Sequence, residues 1–258
     1  MAEKAGQGWA SRIPHSRIPT RIAADRLRSG LVSVGMLQHV ETRGDNTGNR
    51  RGRRSREEIL ETASRLMAER GFAATTLSDL SRESGLPRSA VYHHFRSKAG
   101  LLSAVMEHGA YAFFQHMARA QAHPPREGGA RERLLWYLQR TGDVFLAHPD
   151  FLRLHLILVM NAEVADAAEA AEVDRIIERV RRDGRAHMNH MIAASFAEYG
   201  PEVARTVADR LDHFAIAGFD GAFVAWQADP SRSMAEAMDL LTDAVATLGE
   251  SIAARLLS

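Results

Sequence analysis

From Ser55 to Leu257, apolar residues return at every third or fourth position and never alternate residue by residue, so the pattern predicts helices alone. The expected fold is all-α, with about nine helices. The first apolar stripe is Ile59, Leu60, Ala63, Leu66 and Met67. It opens on Ser55 and Glu58, whose capping-box spacing lets hydroxyl and carboxylate each satisfy an amide that the first turn leaves unpaired. Gly71 supplies a left-handed stop, and Phe72 folds back on the stripe. Thr76 and Asp79 repeat the capping signature before Leu77 and Leu80, a short face that ends at Gly85. After Leu86-Pro87, a short segment turns Val91 and Phe95 inward. Ser97 then caps a helix carried by Leu101, Leu102, Val105 and Met106 to about Ala122. Beyond the Pro124–Gly129 loop, the predicted helices are Ala130–Ala147, Asp150–Val164, Ala167–Tyr199, Pro201–Ala228 and Met234–Leu257. Breaks fall at His148-Pro149, near Ala165, at Gly200-Pro201 and at Asp229-Pro230, with Gly184 a candidate interruption of the longest helix.

Residues 1–54 carry no sustained period and are rich in Arg, Ser, Gly and Pro, with Ser11-Arg12-Ile13-Pro14 echoed by Ser16-Arg17-Ile18-Pro19. They are expected to be a disordered basic extension. An Arg-rich, acid-poor stretch also loosely matches an organelle transit peptide, and a third reading starts translation at Met36. The extension holds eleven Lys/Arg against four Asp/Glu, or +7, which leaves −6 on the remainder of a chain whose net charge is +1. A basic end on a mildly acidic body suits either a polyanionic partner or a solubilising tail. The chain has no cysteine, which removes disulfides, thiolate metal sites and cysteine nucleophiles together and fits a cytoplasmic protein. No apolar run reaches the roughly 18 residues of a membrane span, so no membrane partner is expected.

Three short helices in residues 55–95, the last two joined by a tight glycine turn, are what a helix-turn-helix requires. The third must be held rigidly at a steep angle to the second to enter a major groove about 12 Å wide. Packing of Leu77, Leu80, Val91 and Phe95 on the first helix would lock that angle. Arg88, Ser89, Tyr92 and His93 are then left facing outward, a cationic, hydrogen-bonding surface suited to phosphates and base edges. The expected organisation is the extension 1–54, a DNA-binding domain over 55–102 and a helical body over 103–258.

The stretch from Thr76 to Lys98 resembles the DNA-binding motif of the TetR family. The matching features are the capping Thr76, the turn Gly85, the Tyr92-His93-His94-Phe95 cluster and Lys98 three residues later. The resemblance implies that Tyr92 and His94 contact phosphates, that Lys98 anchors a phosphate and that Thr76 both caps and touches the backbone. It puts Arg88, Ser89, Ala90 and His93 at base-reading positions. Pro87 and Ala99 depart from the common Ser and Glu, and Ser81 and Ser84 replace usual alanines. The basic run Arg50-Arg51-Gly52-Arg53-Arg54 has two readings: an arm inserted into the minor groove, or non-specific phosphate attraction.

The body has no Gly-rich phosphate loop, nucleophile elbow or metalloprotease motif, and neither an enzyme nor a cofactor is expected. His187 and His190 lie three apart on a helix, but no carboxylate or thiolate completes a metal set, so none is assigned. The stretch from Phe214 to Pro230 resembles the penultimate helix of the TetR regulators, which with the last helix forms a two-fold bundle between subunits. Dimer-interface candidates are Ala217, Gly218, Gly221 and Ala222, whose small size permits close approach, and the stripe Leu240, Leu241, Val245 and Leu248. Candidates for a small-molecule effector pocket are Phe114, Met117, Trp136, Tyr137, Phe145, His155, Met160, Met188, Met191, Phe196 and His213. Each of these could equally serve the core, and as a set they would suit an apolar or aromatic ligand. The resemblance implies a homodimer bound to an inverted-repeat operator on double-stranded DNA, a repressor released by its effector. A helical ligand-binding or protein-interaction module that keeps the fold without reading DNA is the alternative.

Overall fold

Helix α1 (Thr47–Arg70) buries the stripe predicted for it: Ile59, Ala63, Leu66 and Met67 have no exposed surface and Leu60 almost none. It begins two turns before Ser55, however. The arginines ahead of Ser55 favour helix, and the single Gly52 costs only about 1 kcal/mol, too little to stop it. Arg54 Nε donates to Glu58 Oε1 at 3.1 Å, so the carboxylate expected to cap the helix is used along its side instead. The computed structural model describes residues 47–95, 97–160 and 167–258. The extension through residue 46, including Met36 and the repeated tetrapeptide, lies outside them, as do the expected helix end at Val164 and the break near Ala165.

Short helices α2 (Leu77–Ser84) and α3 (Arg88–His94) follow, then α4 (Lys98–Ala120), α5 (Ala130–Ala147), α6 (Pro149–Met160) and α7 (Ala167–Ser195). A 3-10 turn at Ala197–Tyr199 leads to α8 (Pro201–Ala228) and α9 (Met234–Leu257). No strand occurs among the described residues. The predicted bounds of α5, α8 and α9 are those observed. Helix α7 ends four residues short of Tyr199, where the chain tightens into the 3-10 turn, and Gly184 does not interrupt it.

Helix α1 packs on α2, α3, α4 and α6, whereas α7, α8, α9 and α5 pack on one another. The boundary expected at residues 102–103 falls inside α4. The first turns of this one continuous rod close the N-terminal trio through Leu101, Leu102 and Val105, and its later turns carry Phe113 and Met117 into the body. Both regions share one contiguous core, which includes the fully buried Phe196, Phe219 and Phe223. Each such side chain contributes about 1.5–3 kcal/mol by leaving water.

Candidate nucleic-acid interface

The α2–α3 unit is held by hydrogen bonds as well as by Leu80, Val91 and Phe95, all buried. Thr76 Oγ1 accepts from the Asp79 amide at 3.1 Å, and Asp79 Oδ2 accepts from the Thr76 amide at 3.1 Å, completing the capping box. Gly85 closes α2 with φ +69, a conformation that strains any side chain. The serines that depart from the family pattern are used in this turn. Ser81 Oγ donates to the Leu86 carbonyl at 2.7 Å, while Ser84 Oγ donates to the Leu80 carbonyl and accepts from the Leu86 amide. An alanine could make none of these bonds. Pro87 sits at the N-cap of α3 rather than inside its first turn and offers no side-chain cap.

The rigid turn leaves α3 with an outward face. Arg88, Ser89, Tyr92 and His93 are exposed, Tyr92 by 55%, while Ala90 and His94 are half-buried. The Arg88 guanidinium hydrogen-bonds Ser78 Oγ on α2, a partner ten residues away that no sequence spacing marks. The His94 imidazole is held below its ordinary pKa, first by burial and then by His93 and Arg56, so it is neutral at pH 7. Arg56 itself lies over the Phe95 ring, 5.5 Å from its centroid, and adds a cation beside α3 that the sequence reading did not single out. Lys98 Nζ donates to the Ala73 carbonyl at 2.8 Å and sits 4.6 Å from the Phe72 ring centroid. Lys98 therefore ties α4 to the loop after α1, a structural duty beyond the phosphate contact expected of it. Arg50, Arg51, Arg53 and Arg54 are exposed on the first turns of α1. A helix about 10 Å across is wider than a minor groove of about 6 Å, so over these residues a minor-groove contact would have to come from the arginine side chains and not from an inserted extended backbone.

In the body, a cavity of about 90 Å³ lies among α4, α5, α6, α7 and α8. Six of the eleven pocket candidates line it: Phe114, Met117, Phe145, His155, Met188 and Met191. The other five do not. Tyr137 and Phe196 are buried in the core, Trp136 packs beneath Arg140, Met160 is 70% exposed and His213 faces solvent. The sequence reading missed Phe151, His187, Gly184, Arg181 and Asp220, which are among the other residues of the wall. The sequence spacing pairs His187 with His190, but His187 Nε2 lies 2.9 Å from Gln121 Oε1 while His190 is exposed. No group of three metal-ligating side chains occurs among the described residues. Burial holds both His155 and His187 down to about 4, reinforced by Arg181 and His190 respectively, so both imidazoles are neutral. Burial raises the Asp220 pKa, and Arg181, 3.7 Å away, opposes that shift.

The dimer candidates divide by face. Ala217, Gly221, Leu240 and Leu248 are exposed, with Phe214 and Val224 continuing the same outward stripe of α8. Leu241 and Val245 point into the protomer's own core, against expectation, because the two sides of α9 are both apolar. Gly218 and Ala222 are half-buried, and Gly218 provides the space that Leu241 fills within the same chain.

A capped, glycine-turned α2–α3 pair with an exposed polar α3 defines a helix-turn-helix protein. Residues 59–105 match the family model described as bacterial regulatory proteins, tetR family. The HTH-type transcriptional repressor NemR of Escherichia coli K12 is 33% identical over 115 residues, 45% of this chain and 56% of NemR. The chain thus spans about half the length of such curated relatives. A Pseudomonas aeruginosa PAO1 protein described as a transcriptional regulator superposes with a TM-score of 0.61 at 17% identity, covering 79% of this chain and 94% of that one. A Saccharomonospora viridis protein so described, solved in complex with choline, gives 0.56 at 20% identity, covering 74% and 95%. These likenesses establish a shared fold. Among the described residues, no helix is long and apolar enough to cross a membrane.

Proposed function

We propose that the chain is a homodimeric transcription regulator, most simply a repressor, that reads an inverted-repeat operator through α3 and is released by a small molecule bound in the α4–α8 cavity. The observation that carries this reading is the outward face of α3: Arg88, Ser89, Tyr92 and His93 stand exposed on a helix whose angle is fixed by buried Leu80, Val91 and Phe95. Arg88 supplies a planar pair of donors suited to the O6 and N7 acceptors of guanine, a contact worth about 1–3 kcal/mol against the wrong base. Engaging a base would draw it off Ser78.

A single α3 of seven residues covers little of a groove, so specificity requires two copies at fixed spacing. The exposed stripes of α8 and α9 supply a self-complementary apolar surface for that pairing. Helix α4 begins at Lys98 beside the reading head and carries Phe113, Phe114 and Met117 in the cavity wall, so one rod links the two sites. A ligand that shifts this rod changes the placing of the heads, and by linkage ligand and operator weaken each other equally.

The test is selection of bound fragments from the source genome with wild-type and Arg88→Ala protein. Enrichment of an inverted repeat by the wild type, lost in the variant, is the expected result. Absence of any enriched repeat would refute the reading in favour of a module that keeps the fold without DNA recognition.

A further inference from the structure

We infer that the effector is an uncharged, single-ring aromatic compound bearing one hydroxyl or carbonyl, held among the cavity phenylalanines and hydrogen-bonded by His155. This inference rests on the proposed regulator reading for its consequence, and on the cavity alone for its chemistry. Size comes first. The cavity offers about 90 Å³. A dry cavity of about 150 Å³ takes one benzene ring, and drug-sized ligands need about 300 Å³ or more. One ring therefore needs the smallest outward movement of the wall, and a larger skeleton needs more.

Shape and polarisability come from five phenylalanines and three methionines in the lining. Phe113 meets Phe145 edge-on with centroids 5.5 Å apart, and Phe151 stacks on His155 at 6.3 Å with planes 20° apart. Edge and face positions are thus both offered to an inserted ring. Thioethers of Met117, Met188 and Met191 adapt to its outline.

Charge selects next. Arg181 and Asp220, the only formally charged lining residues among those described, pair across α7 and α8 and cancel. The two imidazoles of the lining are neutral, as their burial dictates. An anion or a cation entering here would sit unpaired in an apolar chamber, which is strongly unfavourable. The polar handle is His155: it is only 7% exposed, and its Nδ1 has no hydrogen-bond partner among the described residues. Buried polar atoms are almost always satisfied, and an orphan in a cavity wall marks where a ligand's hydroxyl or carbonyl belongs. His187, by contrast, is already engaged by Gln121.

Gly184 supports the same assignment. It stands in mid-helix, where glycine is disfavoured against alanine, and a Cβ built there meets nothing within 4 Å. The missing side chain keeps volume open in the α7 wall of the cavity.

The experiment titrates the full chain, carrying isotope-labelled methionine methyls, with phenol, toluene, benzoate and choline. Phenol is expected to shift the Met117, Met188 and Met191 resonances and leave exposed Met160 unmoved. Toluene should bind more weakly, and benzoate and choline should not bind. His155→Phe should weaken phenol about tenfold, the factor one buried hydrogen bond supplies, and weaken toluene less. Gly184→Leu should abolish binding of both rings, and Gly184→Ala, which adds one methyl to open space, should weaken both while keeping the fold. Benzoate or choline binding as tightly as phenol, or an unchanged preference for phenol over toluene in His155→Phe, would overturn the inference. Failure of the regulator reading is separable: it would show as no enriched operator, with the methionine shifts intact.

Discussion

Acid should unfold this protein through its buried histidines, and His155 allows the size of the effect to be worked out. In the folded chain its pKa is about 4, because burial penalises the imidazolium and the Arg181 guanidinium repels it. In the unfolded chain it returns to the ordinary 6.5. Between these values the unfolded state binds the proton and the folded state does not, so stability is full above about pH 6.5 and falls as pH drops toward 4. At pH 5 the unfolded imidazole is almost wholly protonated and the folded one almost wholly neutral. The loss relative to pH 7 is then about 2 kcal/mol for this residue. His187 acts in the same direction, with its partial exposure reducing its share. Urea unfolding at pH 7 and pH 5 measures the effect, with His155→Phe as the partner experiment because other groups also titrate in this range. The variant should lose about 2 kcal/mol less than the wild type over that interval. Equal losses in the two proteins would show that His155 is not held neutral by burial, and would remove the neutral-cavity argument with it.

Three further perturbations follow from packing and caps. Thr76→Ala removes the hydroxyl that accepts from the Asp79 amide, one side of the α2 capping box, and should cost about 1 kcal/mol in urea unfolding, with a parallel loss of DNA affinity; unchanged stability would contradict the observed cap. Leu240→Glu places a charge on the outward face of α9, where 72% of the leucine is exposed, and should convert a dimer to a monomer in light scattering without lowering protomer helicity. A variant that remains dimeric would move the interface elsewhere. Gly249→Ala drives a methyl into the ring of Phe196, so overpacking of about 1–3 kcal/mol should appear as a lower Tm, and an unchanged Tm would deny that close approach.

Much of this could be read from the sequence because helix signals are local. Capping at Thr76 and Ser97 appears where the residue spacing put it. The α1 stripe is buried as predicted, since a 3.6-residue period has one inward face. What failed depends on contacts distant in sequence. The start of α1 was misplaced because Glu58 has two possible partners, Ser55 and Arg54, and the sequence does not rank them. Leu241 and Val245 were assigned to a subunit interface because α9 is apolar on both sides, and only packing against Gly218 and the core distinguishes them. Helix α8 carries the same ambiguity: Phe214, Ala217, Gly221 and Val224 form a second stripe, a signal that was present but not separated from the first. The cavity assembles from five helices, so Phe151 and Asp220 could not be linked to Phe114 by any spacing. Arg88 and Tyr92 were legible because a seven-residue helix leaves few positions to face outward.

The central claim is that two copies of α3 contact neighbouring turns of one duplex face, and hydroxyl-radical footprinting on a selected fragment tests it most directly. Two protected patches about 34–36 Å apart on one side of the helix, both weakened by Arg88→Ala, are predicted. A single patch, protection spread evenly along the fragment, or a footprint indifferent to Arg88 would contradict it.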